Sequence, residues 1–380
     1  MKIFLYLKHF PPYGDQLNEG TIKAVHGLAT GLVNSGTQVT VLCESSTSNE
    51  ESYRTESGYE IKCFVNLNAS SRSFKISTGL QRYVRNYLDN TSIVILNGMF
   101  HSSVYSLSRI LKKHGVPYIV APHDPYSPAI FSKNAFPKLI YWYFLERNML
   151  KQAKAVQVLD ARHGKLLNQL RVNTPILAIP NGFSPKDVYP EMSLEWPQDG
   201  TAQLFFLGRL DAYNKGIDLL LDAFAQIANI EDTQLTIQGP DWGDKKSLQA
   251  QATKLSITEK VSFLHPDYDK SPSLIIQKYD VFCIPSRFEG FSLAALEAML
   301  AGRVLLVSEI AGIVPYVENS GCGVVVAAEV SAIKLGLIKL LKRRSEWKDM
   351  GLAGRNYALK HLQWDKIAST ALKQYQQLVK

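Results

Sequence analysis

Residues 279–302 read YDVFCIPSRFEGFSLAALEAMLAG, and the fold follows from this stretch. Val281, Phe282, Cys283 and Ile284 form a short apolar run closed by Pro285, the pattern of a buried strand. A polar turn, Ser286 to Gly290, follows. From Ser292 to Ala301 apolar residues fill a helical pattern with Glu297 inside it. Strand, turn and helix in so few residues make one unit of a parallel sheet. On the N-terminal side the same alternation runs back through KVSFLH (260–265), a helix near Ser247–Leu255, QLTIQG (234–239), a helix over Gly216–Ile230 and QLFFLGR (203–209). On the C-terminal side come RVLLVSE (303–309) and GVVV (323–326), then a mostly helical tail, Ser331–Lys380, with a break expected around Gly351–Gly354.

Residues 183–200 are rich in proline and lack an apolar period, which predicts a linker. Before them the alternation occurs a second time. KIFLYL, QVTVLC, YEIKCFV, SIVILNG, PYIVAPH and AVQVLD read as strands, and a helix with Ile22, Val25, Leu28, Ala29 and Leu32 on one face lies between the first two. The expected domains are residues 1–182, joined by a C-terminal helix of about 362–380, and residues 201–361. Two such halves predict an α/β protein of two facing Rossmann-like, doubly wound domains. Ligands should bind at the carboxyl ends of the strands, in an interdomain cleft.

The chain of 380 residues is 46% hydrophobic and 20% charged, which excludes a disordered or fibrous protein. No apolar run reaches the ~18 residues of a spanning helix. The N-terminal run is broken at Lys8 and His9, so it reads as a first strand and not as a signal peptide. Four cysteines without C-x-x-C spacing fit reduced thiols and a cytoplasmic location. Charge divides unevenly: 20 basic and 11 acidic residues in 1–180 give +9, while 22 and 23 in 181–380 give −1. The first half is therefore expected to face something anionic: a phospholipid surface, a phosphorylated substrate or nucleic acid.

The turn-to-helix junction at 289–293 carries chemistry. Free N–H groups of Phe291, Ser292 and Leu293 at a helix start suit an anion. Glu289 and Glu297 flank them, ~12 Å apart if the eight steps from one to the other were helical. Carboxylates suit sugar and ribose hydroxyls, and the diphosphate of a nucleotide-sugar would lie between. A glutamate pair at this spacing arises about once per chain by chance, so its weight comes from the strand, turn, glycine and helix around it. A second segment, FLGRLDAYNKG (206–216), ends a strand at Gly208, where a missing side chain permits close backbone approach. Arg209 and Lys215 follow at the strand end, where two fixed cations can neutralise a diphosphate leaving group. Taken alone such a pair is ordinarily solvated surface charge; the neighbouring anion site favours function.

G-R-L-D-x-x-x-K-G and E-G-F-S-L-x-x-L-E-A-M-x-A-G resemble the signature segments of glycosyltransferase family 4, retaining enzymes of GT-B fold. Pro180-Asn181-Gly182 resembles that family's P-N-G before the linker. Trp364, with the helix to Tyr375, resembles its C-terminal helix, which returns to the first domain. The resemblance implies that Arg209 and Lys215 bind the donor diphosphate, Glu289 the sugar hydroxyls and Glu297 the ribose. Gly290, Phe291, Ser292 and Leu293 would lie along sugar and phosphate, beside Gly208. It implies that His123, in APHDPYSPAI, contacts the donor sugar, with Asp124 a weaker candidate. The family's glycine pair before the first helix stands here as Glu19-Gly20; Gly20 can still offer an amide to phosphate, and Gly14 lies earlier in the same loop. A donor phosphate oxygen would take the acceptor proton, so no separate base is needed.

The implied function is transfer of a hexose from a nucleotide-sugar, a UDP-sugar in preference to GDP-mannose, to a glycan or lipid-linked acceptor in polysaccharide biosynthesis. No metal or other cofactor is expected, because the cations fill that role and no D-x-D motif of the metal-dependent type lies at a strand end. Location is expected to be cytoplasmic, peripheral on the inner membrane face. Three alternatives stand beside this. One is a nucleotide-sugar-binding GT-B protein with other sugar chemistry. A dinucleotide-dependent oxidoreductase fails because GCGVVV (321–326) lacks the third glycine and a following helix. A nucleic-acid-binding protein, suggested by a pI near 9.1, lacks a recognised module. The basic aromatic stretch Lys133–Lys154 reads either as a membrane-surface helix or as a core helix, and its aromatic content favours the core.

Overall fold

The computed structural model describes the chain except residues 12–18, 47–48, 68–72, 132–134, 192–193, 195, 197–199 and 379–380. It separates into two compact units, Met1–Gly182 with Trp364–Lys380, and Phe183–Gln363. The stretch 183–200 thus groups with the second unit.

The first unit holds an eight-stranded sheet. Its strands are β1 (Lys2–Tyr6), β2 (Val39–Ser45), β3 (Glu51–Arg54), β4 (Glu60–Val65), β5 (Ser92–Asn97), β6 (Tyr118–Ala121), β7 (Ala155–Val158) and β8 (Ile176–Ala178). They lie in the order β3-β4-β2-β1-β5-β6-β7-β8. All pairs are parallel except β3 with β4. The sequence reading missed β3, a four-residue edge strand, ESYR, with no apolar alternation; its charges suit an open sheet edge. β5 is buried at every residue, as a strand covered on both faces must be.

The second unit holds β9 (Ala202–Leu207), β10 (Thr233–Gln238), β11 (Val261–Leu264), β12 (Val281–Ile284), β13 (Val304–Ser308) and β14 (Gly323–Val326). Their order is β11-β10-β9-β12-β13-β14, parallel throughout. In each sheet the strand order reverses once, at β1/β5 and at β9/β12, which are the switch points where such sheets open a crevice.

Two helix expectations change. The helix expected over Gly216–Ile230 starts at Ile217, after a separate helical turn Ala212–Lys215, and ends at Ala225. The break expected at Gly351–Gly354 does not occur: one helix runs Trp347–His361. Its glycines serve close packing, since a Cβ on Gly351 would lie 1.9 Å from Gly302 O and one on Gly354 2.5 Å from Cys322 Cβ. The C-terminal helix Trp364–Leu378 belongs to the first unit and packs on helix Gly20–Asn34. Gly27 and Gly31 make room for it; a Cβ on Gly27 would fall 2.1 Å from the Trp364 indole nitrogen. At its far end the Tyr375 hydroxyl donates to Gln157 at 2.5 Å.

Candidate functional site

The loops after β9 and β12 leave the two strands that flank the switch point of the second sheet. Gly208 N–H donates to Gln238 O at 3.0 Å. A Cβ on Gly239 would meet Gly208 O at 1.8 Å, so the two strand ends meet backbone to backbone. Arg209 is exposed, with its guanidinium over the Trp242 ring at 4.2 Å. Asp211 caps the turn Ala212–Lys215 by accepting from Asn214 N–H. Gly216 then takes a left-handed φ of 66°, and a Cβ there would lie 2.0 Å from Pro285 O. Only glycine lets this loop lie against the loop after β12.

The second loop is fastened to the first. Arg287 and Phe288 N–H both donate to Asn214 O, at 3.0 and 3.2 Å. Arg287 also grips Asp218 with two bonds of 2.7 Å and stacks on Tyr213 at 4.6 Å. Glu289, 8% exposed, accepts from Lys215 Nζ at 2.7 Å and from Ser286 Oγ at 3.4 Å. Both bonds fall on Oε2. The Gly290 carbonyl accepts from Gly312 N–H at 2.8 Å. Phe291 is buried, edge-on to Tyr316. Ser292 caps helix Leu293–Leu300, its Oγ accepting from Ala295 N–H at 3.1 Å. Glu297 lies on the fifth residue of that helix, partly exposed. Because the helix starts at Leu293, only four of the eight steps from Glu289 to Glu297 are helical, ~6 Å of rise; the sequence-based spacing assumed a helix throughout.

Lys215, Glu289, Gly290, Phe291, Ser292 and Leu293 therefore lie on two interlocked loops, with Gly208 and Arg209 at the start of the first. The sequence reading gave no role to Trp242, Asp218 or Arg287. Arg287 stands inside the quoted SRFEG turn, and its bidentate partner is 69 residues away, a pairing that no local pattern reveals.

His123 lies in the first unit, in the loop after β6, with a left-handed φ of 67° that is unusual for a side chain larger than glycine. Its Nε2 is 2.8 Å from Asn97 Oδ1. Asn97 Nδ2 donates to Tyr6 O and Ile95 O, at 3.0 and 3.2 Å, which fixes Oδ1 as the acceptor. Nε2 of the ring is therefore the donor, and in the neutral imidazole Nδ1 is left as an acceptor. Burial pushes the His123 pKa down to about 4, so the ring is neutral at pH 7. Gly20 is the first residue of helix Gly20–Asn34, and Glu19 before it is exposed without capping the helix through its side chain. Gly14 lies outside the described residues.

The aromatic stretch departs from its core assignment. Residues Ala135–Gln152 form one helical segment interrupted by a π-helical turn at Trp142–Glu146. Trp142 and Glu146 point inward, but Phe136, Leu139, Ile140, Tyr143 and Phe144 are exposed, Phe136 to 76% and Phe144 to 71%. These fall at helical spacing on one face. Exposed Lys151 and Lys154 follow at its end. Among the described residues no helix is long and apolar enough to cross a membrane.

Comparison with known proteins adds the following. A family described as Glycosyl transferases group 1 matches residues 195–357, and one described as Glycosyltransferase Family 4 matches residues 20–187. A phosphatidyl-myo-inositol mannosyltransferase of Mycobacterium leprae is 29% identical over 201 residues, 52% of this chain and 52% of that protein. An uncharacterized glycosyltransferase of Methanocaldococcus jannaschii is 28% identical over 227 residues, 53% and 55% of the two chains. The chain thus spans about half the length of the curated relatives it matches. Sucrose-phosphate synthase from Thermosynechococcus elongatus has the same fold, with a TM-score of 0.76 at 19% identity over 99% of this chain and 98% of that one. Anabaena HepE in complex with UDP and glucose has a TM-score of 0.70 at 15% identity over 99% of both chains.

Proposed function

Because the chain belongs to glycosyltransferase family 4, the glycosyl transferases of group 1, we propose that it moves a hexose from a nucleotide-diphosphate sugar to an acceptor hydroxyl with retention of configuration. The observation that carries this is the Lys215–Glu289 pair at 2.7 Å beside a capped helix start, on the loops flanking the β9/β12 switch point. A cation for phosphate, a carboxylate for hydroxyls and helix amides for an anion are held by one interlocked pair of loops.

In this mechanism Arg209 and Lys215 stabilise the charge that grows on the diphosphate as the glycosidic bond breaks. Lys215 exchanges part of its contact with Glu289 for phosphate, and Glu289 turns to sugar hydroxyls. Glu297 takes the ribose, Gly20 offers a backbone amide to phosphate, and Gly290 to Leu293 line the sugar and phosphates. His123 Nδ1 accepts from a sugar hydroxyl. A donor phosphate oxygen removes the acceptor proton on the face from which the diphosphate leaves. These cations supply the positive charge that a metal would otherwise bring, so activity should survive EDTA; a requirement for added Mg²⁺ or Mn²⁺ would overturn that part.

A UDP-sugar is the donor we favour, supported by the fold neighbour solved with UDP and glucose; the relative named for mannose transfer makes GDP-mannose the competitor. A thermal-shift panel of UDP-, GDP- and ADP-sugars tests this. Stabilisation by none of them would sink the nucleotide-sugar reading itself.

The acceptor is a glycan or a lipid-linked molecule, met at the cytoplasmic face of an anionic membrane. The exposed face of Phe136, Leu139, Ile140, Tyr143 and Phe144, followed by Lys151 and Lys154, supports peripheral contact, as does the +9 of the first half. Sedimentation with anionic vesicles should fall with salt, since screening acts within ~10 Å at 0.1 M, and should be lost in Phe136→Ser/Phe144→Ser. Absence of binding at low salt would favour a soluble glycan acceptor.

A further inference from the structure

Glu146 is wholly buried in the first unit. Its Oε1 accepts from the Tyr126 hydroxyl at 2.6 Å and from Phe100 N–H at 3.1 Å, while Oε2 has no hydrogen-bond partner among the described residues. A buried carboxylate without a cation is costly, and a fold that needed only packing here would be better served by an apolar side chain. Trp142 and Glu146, four residues apart, share the core side of their helical segment, leaving Tyr143 and Phe144 outside.

The two groups Glu146 holds belong to different loops. Phe100 lies in the loop after β5, and Tyr126 in the loop after β6, three residues beyond His123. Phe100 and His123 both have left-handed backbone, φ 54° and 67°, a conformation that surrounding structure must hold in place. The β6 loop also meets the end of β5 itself, through His123 Nε2 and Asn97 Oδ1. The connections close into a ring: Asn97 to His123, along the loop to Tyr126, across Glu146 to Phe100, and back to Asn97.

We infer that Glu146 is a positioning residue for His123: its carboxylate ties the β5 and β6 loops together so that the half-buried imidazole stays against Asn97. This rests on the reading of His123 as a donor-sugar contact, and the geometric part can be tested without it. Protonation would weaken the tie, because a neutral Oε1 is a poorer acceptor and the proton on Oε2 would find no partner. Burial raises the Glu146 pKa to about 7. The titratable side chains facing it are Tyr126 and Tyr141, both held far above neutral by burial, and His123 itself titrates at about 4. A step near pH 7 would therefore report Glu146.

The experiment uses the full chain. NMR titration should place the His123 imidazole near 4 in the wild type and in Glu146→Gln, which keeps an acceptor oxygen, and move it upward toward ~6.5 in Glu146→Ala. Release of UDP from UDP-glucose should fall at least ~10-fold in kcat for Glu146→Ala with UDP affinity unchanged, as for a group made important only at the reacting centre. Any step near pH 7 in the wild-type profile should vanish in Glu146→Gln. An imidazole that stays near 4 in Glu146→Ala overturns the inference. Should that variant fail to fold, a step near pH 7 that persists in Glu146→Gln overturns it equally. Normal turnover in His123→Ala, with the imidazole shift present in Glu146→Ala, would instead overturn the role given to His123 and leave the tie standing.

Discussion

The two units each place functional candidates on loops that leave a parallel sheet at or beside its switch point, yet they hold those loops by different physics. In the second unit the loops after β9 and β12 are held by ion pairs, a largely buried Lys215–Glu289 and a more open Arg287–Asp218, and by a glycine that fits under Pro285. In the first unit the loops after β5 and β6 are joined by a neutral imidazole, an amide and a buried carboxylate. Charged pairs that are partly open can trade a partner for a ligand at modest cost. The contacts of the half-buried neutral imidazole and of the wholly buried Glu146 instead fix geometry. In the proposed mechanism, binding and charge stabilisation fall to the second unit and orientation to the first.

The sharpest way to break this comparison is to remove the cations. Arg209→Ala and Lys215→Ala should each lower kcat by roughly 100-fold or more, with smaller loss of donor affinity, because leaving-group charge develops in the transition state. Lys215→Ala should be the more damaging, since it also leaves Glu289 without its cation. Steady-state kinetics with calorimetric nucleotide binding checks both; an equal fall in affinity and kcat would mean that the cations merely bind.

Next in size are the carboxylates. Glu297→Ala should weaken nucleotide binding by about 1.5–3 kcal/mol, the value of a hydrogen bond to a charged group. Glu289→Ala should lower turnover and leave nucleotide affinity nearly intact. Unchanged nucleotide affinity in Glu297→Ala would remove the ribose assignment.

Gly216→Ala tests the interlock without touching a charge. Its left-handed backbone alone costs a non-glycine residue ~1–2 kcal/mol, and the contact with Pro285 O adds to this. Denaturant unfolding followed in the second unit should register that loss, along with reduced turnover. A neutral effect would show that the two loops are free to separate.

The smallest effect is on the pH dependence of stability, where His123 and Glu146 of the first unit oppose each other. His123 is held near 4, below the ~6.5 of an unfolded histidine. The unfolded chain takes up that proton first, so this contribution is whole above about pH 6.5 and is lost as pH falls toward 4. Glu146 is raised to about 7, above the ~4.3 of an unfolded glutamate; its contribution is whole below about pH 4.3 and is lost as pH rises through 7. Thermal melts should therefore show acid destabilisation relieved in His123→Gln and a decline toward pH 7 relieved in Glu146→Gln. Identical pH profiles in both variants and wild type would show that folding shifts neither the ring nor the carboxylate.

Much of this was legible locally. Buried strands of a parallel sheet are continuous apolar runs, so KIFLYL, SIVILNG and YDVFCIP announce themselves without any partner. The glycine and capping serine of EGFSL mark a helix start, and the glutamates on either side stand in the same short stretch. Where the reading erred, the cause was a property that depends on distant residues. Gly351 and Gly354 look like helix breakers until the carbonyl of Gly302 and the side chain of Cys322 come to lie against them. Phe136, Tyr143 and Phe144 look like core residues because aromaticity does not say which face a neighbour covers. β3 has no pattern because an edge strand need bury nothing.

The sequence by itself determined the two α/β halves, the order of strands and helices, and the residues able to hold an anion and sugar hydroxyls, since these follow from apolar periodicity and from side-chain chemistry at short range. The tertiary structure decided that Lys215 lies on Glu289, 74 positions away, that Arg287 grips Asp218, that Asn97 orients His123, and that Glu146 turns inward from a helix whose other face is bare. Each of these is a contact between segments remote in the chain. Hydrogen-bond geometry is met only once the sheets have brought the strand ends together.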